Sequence, residues 1–416
     1  MSAAVETTPA GPGSGPPPAP PTATVLGAVR EWWVGVRNGQ LGALPIVVGI
    51  IVIALYFQTR NANFLTAGNF VNLLAQMAAI TVIGMGIVFV LLLGEIDLSV
   101  GYVSGMGGVV AAVLLLPDGS QWPTSLAIVA AIGVGSAIGL GQGFFVAKLG
   151  VPSFVVTLAG LLAWNGVVLL VIGNKGTIVL QNKFVNGLAN DYVGHTLAWV
   201  VLIVCIGGFV LQQATTVRRR AASGLPNVPW VLIGLRILAT AAAGIFVIEW
   251  ADTDRGIPYV GLVMLGLLIM WTFVATRTRF GRHVYAVGGN AEAARRAGIN
   301  VAGIRMAVFT ISGGMAALGG IILASRLSSV DTSTGGGSTL LYSIAAAVIG
   351  GTSLFGGRGK VSSAILGAVV IAMIDNGLGL INVSAGTKYI VTGLVLLAAV
   401  TLDSVSRRRS AASGRV

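Results

Sequence analysis

The sequence predicts an all-α fold: a polytopic bundle of about twelve transmembrane helices with both termini in the cytoplasm. Three observations predict it. Apolar residues make up 55% of the chain and charged residues only 9%, against about 25% charged in soluble domains. A water-soluble globule of 416 residues could not cover its surface from that composition. The apolar residues fall in runs close to the roughly 20 residues a helix needs to cross the hydrocarbon core. The basic residues sit between those runs and are far denser in every second loop.

Candidate spans lie near 41–57, 71–93, 99–116, 124–146, 154–173, 196–213, 230–249, 258–276, 306–325, 340–355, 361–381 and 387–403. The runs within 71–116 are separated only by a brief polar break. The run at 340–355 is short and flanked by glycine, so it either spans or re-enters. With the N-terminus inside, the inner loops carry Lys148, Arg218, Arg219, Arg220, Arg277, Arg279, Arg282, Arg295, Arg296, Arg305, Arg358 and Lys360. The outer loops carry only Arg60, Lys175, Lys183, Arg255, Arg326 and Lys388. That bias orients the chain and places the Arg407–Arg408–Arg409 cluster inside.

Residues 1–24 are rich in Pro, Gly, Ala and Thr and bury too little apolar surface to fold, so they read as disordered. They lack the basic region and apolar core of a signal peptide. Trp32 and Trp33 beside Arg30 and Arg37 fit an interfacial segment. The predicted organisation is a tail over 1–40, a transmembrane domain over 41–404 with a cytoplasmic loop at 277–305, and a basic cytoplasmic tail over 405–416.

Several functions are excluded. The net charge of +12 is dispersed, not gathered into the footprint that nucleic-acid binding requires. Cys205 is the single cysteine, and His195 and His283 lie far apart, so neither a disulfide nor a metal site is expected. The glycine-rich stretch at 356–360 superficially resembles a P-loop. Leu354 replaces its first glycine and Val361 its magnesium-binding hydroxyl. No cofactor is expected in this chain, and any ATP site belongs to another one.

Glycine has a structural signature. Gly135, Gly139 and Gly143 recur at intervals of four, as do Gly101 and Gly105. The spacing bares backbone on one helix face, for close packing or for sliding surfaces in a moving transporter.

Charges inside apolar runs cost about 2.5–3.5 kcal/mol at mid-bilayer, so the exceptions are candidates. Glu95 and Asp97 flank one residue in the break before 99–116. At that spacing they do not face each other on a helix. The string reads as a bend or half-helix junction, with Asp97 and Ser99 capping the next helix or lining a pathway or gate. Asp375 and Asn376 lie deep in another run, either bonded between helices or lining the substrate path. Trp164 and Asn165 pair an aromatic with an amide, which suits a sugar path or plain packing.

The loop at 277–305 contains a compact signal. Asn290 is a good N-cap and Gly298 a good C′ residue. Glu292 sits in the first turn and Arg295 and Arg296 in the last, each favourable to the helix dipole. A helix of about two turns is marginal alone in water, so it packs on its own bundle or on a partner. Flanking Gly288 and Gly289 read as flexible.

Five segments together resemble the permease subunits of bacterial ABC sugar importers of the ribose and xylose type, nearest to the xylose type. They are 94–101 with its Glu-Ile-Asp-Leu-Ser core, 151–160, 289–300, 350–359, and Asp375-Asn376-Gly377. The resemblance covers about 41–404. It implies a ten-span core with an inserted pair of helices around the 218–220 loop. It implies partners: ABC ATPase subunits, a periplasmic or lipid-anchored sugar-binding protein, and a second permease copy, by default identical. In such families the loop helix sits in a cleft of the ATPase, which assigns coupling to Gly289, Asn290, Glu292, Ala293, Ala294, Arg295, Gly298 and Asn300. One departure stands out: Leu341 and Tyr342 occupy positions where relatives often carry an acid or amide.

The expected function is therefore non-enzymatic: translocation of a monosaccharide, a xylose-type pentose first, across the plasma membrane by alternating access. The pathway or gate candidates are Glu95, Asp97, Ser99, Trp164, Asn165, Asp375 and Asn376. The rival is a gradient-driven secondary transporter using Asp375, Asp97 or Glu95 as its coupling group. A branched-chain amino-acid permease is a cousin within the importer class.

Overall fold

The computed structural model describes residues 27, 44–117, 121–225 and 229–412. The expected disordered and interfacial tail, Gly27 apart, lies outside the described residues, as do residues 413–416. The helices are α1 (Leu44–Arg60), α2 (Ala67–Leu92), α3 (Val100–Leu114), α4 (Thr124–Lys148), α5 (Ser153–Ile172), α6 (Lys183–Asn190), α7 (His195–Ala222) and α8 (Trp230–Asp252). They continue with α9 (Tyr259–Arg277), α10 (Arg279–Gly289), α11 (Ala291–Arg296), α12 (Val301–Leu327), α13 (Thr339–Ile349), α14 (Ser362–Leu380) and α15 (Ala385–Ala412). Two short strands, β1 (Thr177–Val179) and β2 (Ser329–Asp331), pair antiparallel with Ile178 opposite Val330. The bundle is all-α and polytopic, as the composition demands.

Each of the twelve expected spans holds a helix. Eight are long and apolar enough to cross a membrane; α1, α3, α13 and the described part of α15 are shorter. Pro123, Pro152 and Pro258 precede α4, α5 and α9, where a fixed φ and a missing N–H cost nothing.

Contacts divide the chain into two compact units: Met1–Asn38 with Val200–Ile245, and Gly39–Trp199 with Phe246–Val416. In the first, the described parts of α7 and α8 form a hairpin in which Leu202 lies against Gly244. In the second, α12 is the central element and packs against α2, α3 and α4.

The glycine spacing explains the closest of these packings. A Cβ at Gly139 would collide with Phe309 O, and one at Gly143 would come within 2.9 Å of Met306 Cα. Gly135 stands equally close to Gly313 O. The ridge of α4 thus lies directly on the backbone of α12. Gly101 and Gly105 do something different: they admit the carbonyls of Gly335 and Thr334, from the turns before α13.

The helices α3 and α13 are both short. At 1.5 Å per residue, α3 is about 22 Å long and α13 about 16 Å, against a core of roughly 30 Å. Each begins inside the bundle after a non-helical stretch, 93–99 for α3 and 332–338 for α13. Their first turns meet, since a Cβ at Gly101 would fall 3.1 Å from Leu340 Cβ. The stretch follows the paired strands β1 and β2. It leaves at the opposite end of α12, where Gly357 N donates to Leu92 O at 2.9 Å.

Candidate functional site

The site is built around the break between α2 and α3. Leu92 ends α2, and Gly94 turns the chain with φ +75°, a conformation glycine adopts without strain. The exposed polar groups of non-helical backbone must be satisfied inside a bundle. Here Ile96 N donates to Ser153 Oγ at 3.3 Å, and Thr157 Oγ1 lies 3.3 Å from Ile96 O. Both hydroxyls come from the first turns of α5.

Asp97 is the centre. It is 3% exposed and Ser99 is fully buried. Asp97 Oδ1 accepts from Ser99 N at 3.0 Å and from Ser99 Oγ at 2.7 Å, while Oδ2 accepts from Ser312 Oγ of α12 at 2.9 Å. Ser99 holds the cap position of α3 but makes no side-chain capping bond, and Asp97 accepts from the N–H of that cap residue instead. Ser99 Oγ also lies 3.0 Å from the Gln142 amide oxygen of α4. Ser99 has one proton and gives it to the carboxylate, so Gln142 satisfies it best with its NH2 turned toward the hydroxyl. A Cβ at Gly160 would clash with Gln142 Nε2 and lie 3.4 Å from Trp164 Nε1. Both nitrogens are buried without a partner. Turning the amide over puts its oxygen on the side of Trp164. One polar cluster thus ties α3, α4, α5 and α12 together.

Glu95 faces the other way along the break. Its Oε1 lies 3.1 Å from Arg305 Nη2 on the second turn of α12, with the side chains 14% and 29% exposed. A pair this protected is costly to break from one side only.

Three glycine-bearing segments converge at the same end. A Cβ at Gly288 would run into Leu92 O, and one at Gly356 would stand 3.0 Å from Gly94 N. Tyr285 OH donates to Gly359 O at 2.8 Å. Burial raises the Tyr285 hydroxyl pKa above its ordinary value. Gly288 is therefore packed backbone within α10, not the loose hinge expected. The helix α10 itself was not expected, because its arginines and His283 read as loop.

The helix expected after Asn290 is present as α11. Asn290 Oδ1 accepts from Ala293 N at 2.9 Å, and Gly298 turns with φ +82°. Asn300 caps the next helix, accepting from Gly303 N at 2.9 Å. Ala294 is buried against the bundle, whereas Glu292, Ala293, Arg295 and Arg296 are exposed. Glu292 pairs with Arg295 at 2.9 Å and Arg296 at 3.3 Å. The four-residue connection from α11 into α12 joins this surface to the Glu95 and Asp97 contacts.

Four of the five family-like segments therefore meet around 94–99. The fifth does not. Asn376 exchanges two 3.0 Å hydrogen bonds with Asn69, and Gly377 receives the Phe57 ring. Asp375 lies 3.9 Å from Lys388 Nζ and its side chain is 42% exposed. Asn165 makes no side-chain hydrogen bond among the described residues and does not join the cluster. Sequence reasoning missed Gln142, Ser312 and Arg305 as partners. The signal available was a lone amide or hydroxyl on a glycine-rich helix face.

Comparisons with known proteins identify the family. The family described as "Branched-chain amino acid transport system / permease component" matches residues 69–400. The xylose transport system permease protein XylH of Escherichia coli K12 is 40% identical over 377 residues, 90% of this chain and 95% of that protein. Its Haemophilus influenzae counterpart is 35% identical over 374 residues, 90% and 99% of the two chains. The ribose import permease protein RbsC of E. coli K12 is 31% identical over 360 residues, 86% and 92%. No solved structure matches. This multi-pass membrane protein belongs to the branched-chain amino acid transport system / permease component family, on the branch of its ABC sugar-importer permeases.

Proposed function

We propose that this chain, working as two identical copies, carries a monosaccharide, a xylose-type pentose first, inward across a bacterial plasma membrane by alternating access. Twelve crossings with both termini inside fit the positive-inside bias. A separate ATPase subunit docks on the exposed face of α11, and a sugar-binding protein delivers substrate on the opposite side. Similarity to both xylose and ribose permeases favours a pentose over a branched-chain amino acid, and the higher identity to the xylose permease favours a xylose-type one.

The observation that carries the reading is the short connection from α11 to the broken helix. The loop helix presents Glu292, Arg295 and Arg296 outward, and α12 holds both acidic residues of the break through Arg305 and Ser312. A push on α11 is thereby delivered to the α2–α3 break. Asp97, Ser99 and Gln142 position the first turn of α3, and Trp164 borders them. Asp375 and Asn376 serve the path at the other end of the bundle.

The test is uptake into liposomes holding this chain, its ATPase and its binding protein. Uptake of labelled xylose that needs ATP and all partners, and survives an uncoupler, supports the importer. Uptake by this chain alone that collapses with an uncoupler supports a gradient-driven transporter and contradicts it.

A further inference from the structure

An open, almost wholly apolar cleft of ≈ 540 Å³ lies between α4, α9, α10 and α12. Leu140 forms one wall, Val274 the other, Met306, Ala307 and Ile311 the floor, and Phe280 the lower edge. The one hydroxyl there is spent, because Thr310 Oγ1 donates to Met306 O at 2.8 Å. The volume falls in the range of small-ligand sites, but nothing in the lining would orient a polar ligand.

The mouth of the cleft has the opposite character. On α4, Leu140, Phe144 and Lys148 follow at intervals of four and share one face. All three are exposed. On α9, Arg277 stands one turn beyond Val274, and Arg279 adjoins Phe280 at the start of α10. Among the described residues no acidic group pairs with Lys148, Arg277 or Arg279. An apolar groove thus ends in three uncompensated positive charges.

We propose that this cleft is a binding site for an anionic phospholipid, with one acyl chain in the groove and the headgroup phosphate held by Lys148, Arg277 and Arg279. Basic clusters at the ends of transmembrane helices recognise such headgroups, and a zwitterionic headgroup would leave the excess charge unanswered. A second copy of this chain is a poorer occupant. Among the described side chains, the acidic Glu95 and Glu292 at this end already pair with Arg305, Arg295 and Arg296. The inference does not depend on which solute is carried.

The test is native mass spectrometry of the purified full chain, mixed with equal palmitoyl-oleoyl phosphatidylglycerol and phosphatidylcholine. Wild type should retain phosphatidylglycerol in preference. The Lys148→Gln, Arg277→Gln, Arg279→Gln triple variant should lose that preference about a hundredfold, the weight of three basic residues at a membrane surface. Ala307→Phe, which fills the floor and leaves the charges alone, should lose the bound lipid as well. Equal retention of both lipids by wild type, or unchanged retention in both variants, would overturn the proposal. So would efficient cross-linking between copies through Phe144→Cys, because a second copy would then occupy the cleft.

Discussion

Ser312 Oγ donates a 2.9 Å hydrogen bond to Asp97 Oδ2, joining the middle of α12 to the break between α2 and α3. Both residues are buried, so neither bond partner can be replaced by water from bulk. Removing the hydroxyl in Ser312→Ala should destabilise the protein by about 1–3 kcal/mol, the cost of one unsatisfied buried acceptor. Asp97→Ala removes the acceptor for three donors and should cost more. Melting temperatures in detergent check the order: Asp97→Ala lowest, Ser312→Ala between it and wild type. An unchanged Asp97→Ala melt would contradict the central role of this carboxylate.

Glu95 and Arg305 should act as a pair. Either Glu95→Gln or Arg305→Gln leaves one protected charge unanswered and should slow ATP-driven uptake about tenfold, the kinetic weight of about 1.4 kcal/mol. The double variant Glu95→Arg with Arg305→Glu should recover part of the loss. Uptake assays in liposomes measure both. Losses that simply multiply in the double variant would mean the two side chains are not coupled.

Two adjacent glycines make a sharper contrast. Gly288→Ala drives a methyl into Leu92 O, while nothing lies within 4 Å of a Cβ at Gly289. Gly288→Ala should sharply reduce the yield of folded protein in size-exclusion chromatography, and Gly289→Ala should leave it unchanged. Equal yields would show that the α10–α2 approach is not as close as described here.

These residues also mark how far the sequence could be read. Hydropathy placed a helix in each of the twelve expected runs, because lipid forces long apolar runs. The α11 cap was legible, since Asn290, Glu292 and Gly298 are local signals. What the sequence could not give was partnership across hundreds of residues. Glu95 and Arg305 are 210 positions apart, and only the packing of α12 on the break brings them together. Gln142 and Ser312 were invisible for the same reason. The helix α10 was missed because an interfacial helix with two arginines and a histidine has the composition of a loop.

Asn290→Ala removes the cap of α11 and should cost about 1 kcal/mol of local helix stability. Because Ala294 still anchors the helix on the bundle, the whole protein should melt within a degree or two of wild type. Hydrogen exchange in 291–298 should accelerate while exchange in α12 stays slow. Unchanged exchange in the loop would mean that packing alone holds α11.

The most direct test of the account is ATP-driven xylose uptake by Glu292→Arg in the complete reconstituted system. Glu292 is exposed and, among the described residues, pairs only with Arg295 and Arg296 of its own helix, so the variant should fold and melt like wild type. If α11 transmits closure of the partner ATPase, uptake should fall at least about tenfold and ATPase binding should weaken. Wild-type uptake and binding by a correctly folded Glu292→Arg protein would contradict the coupling role of α11.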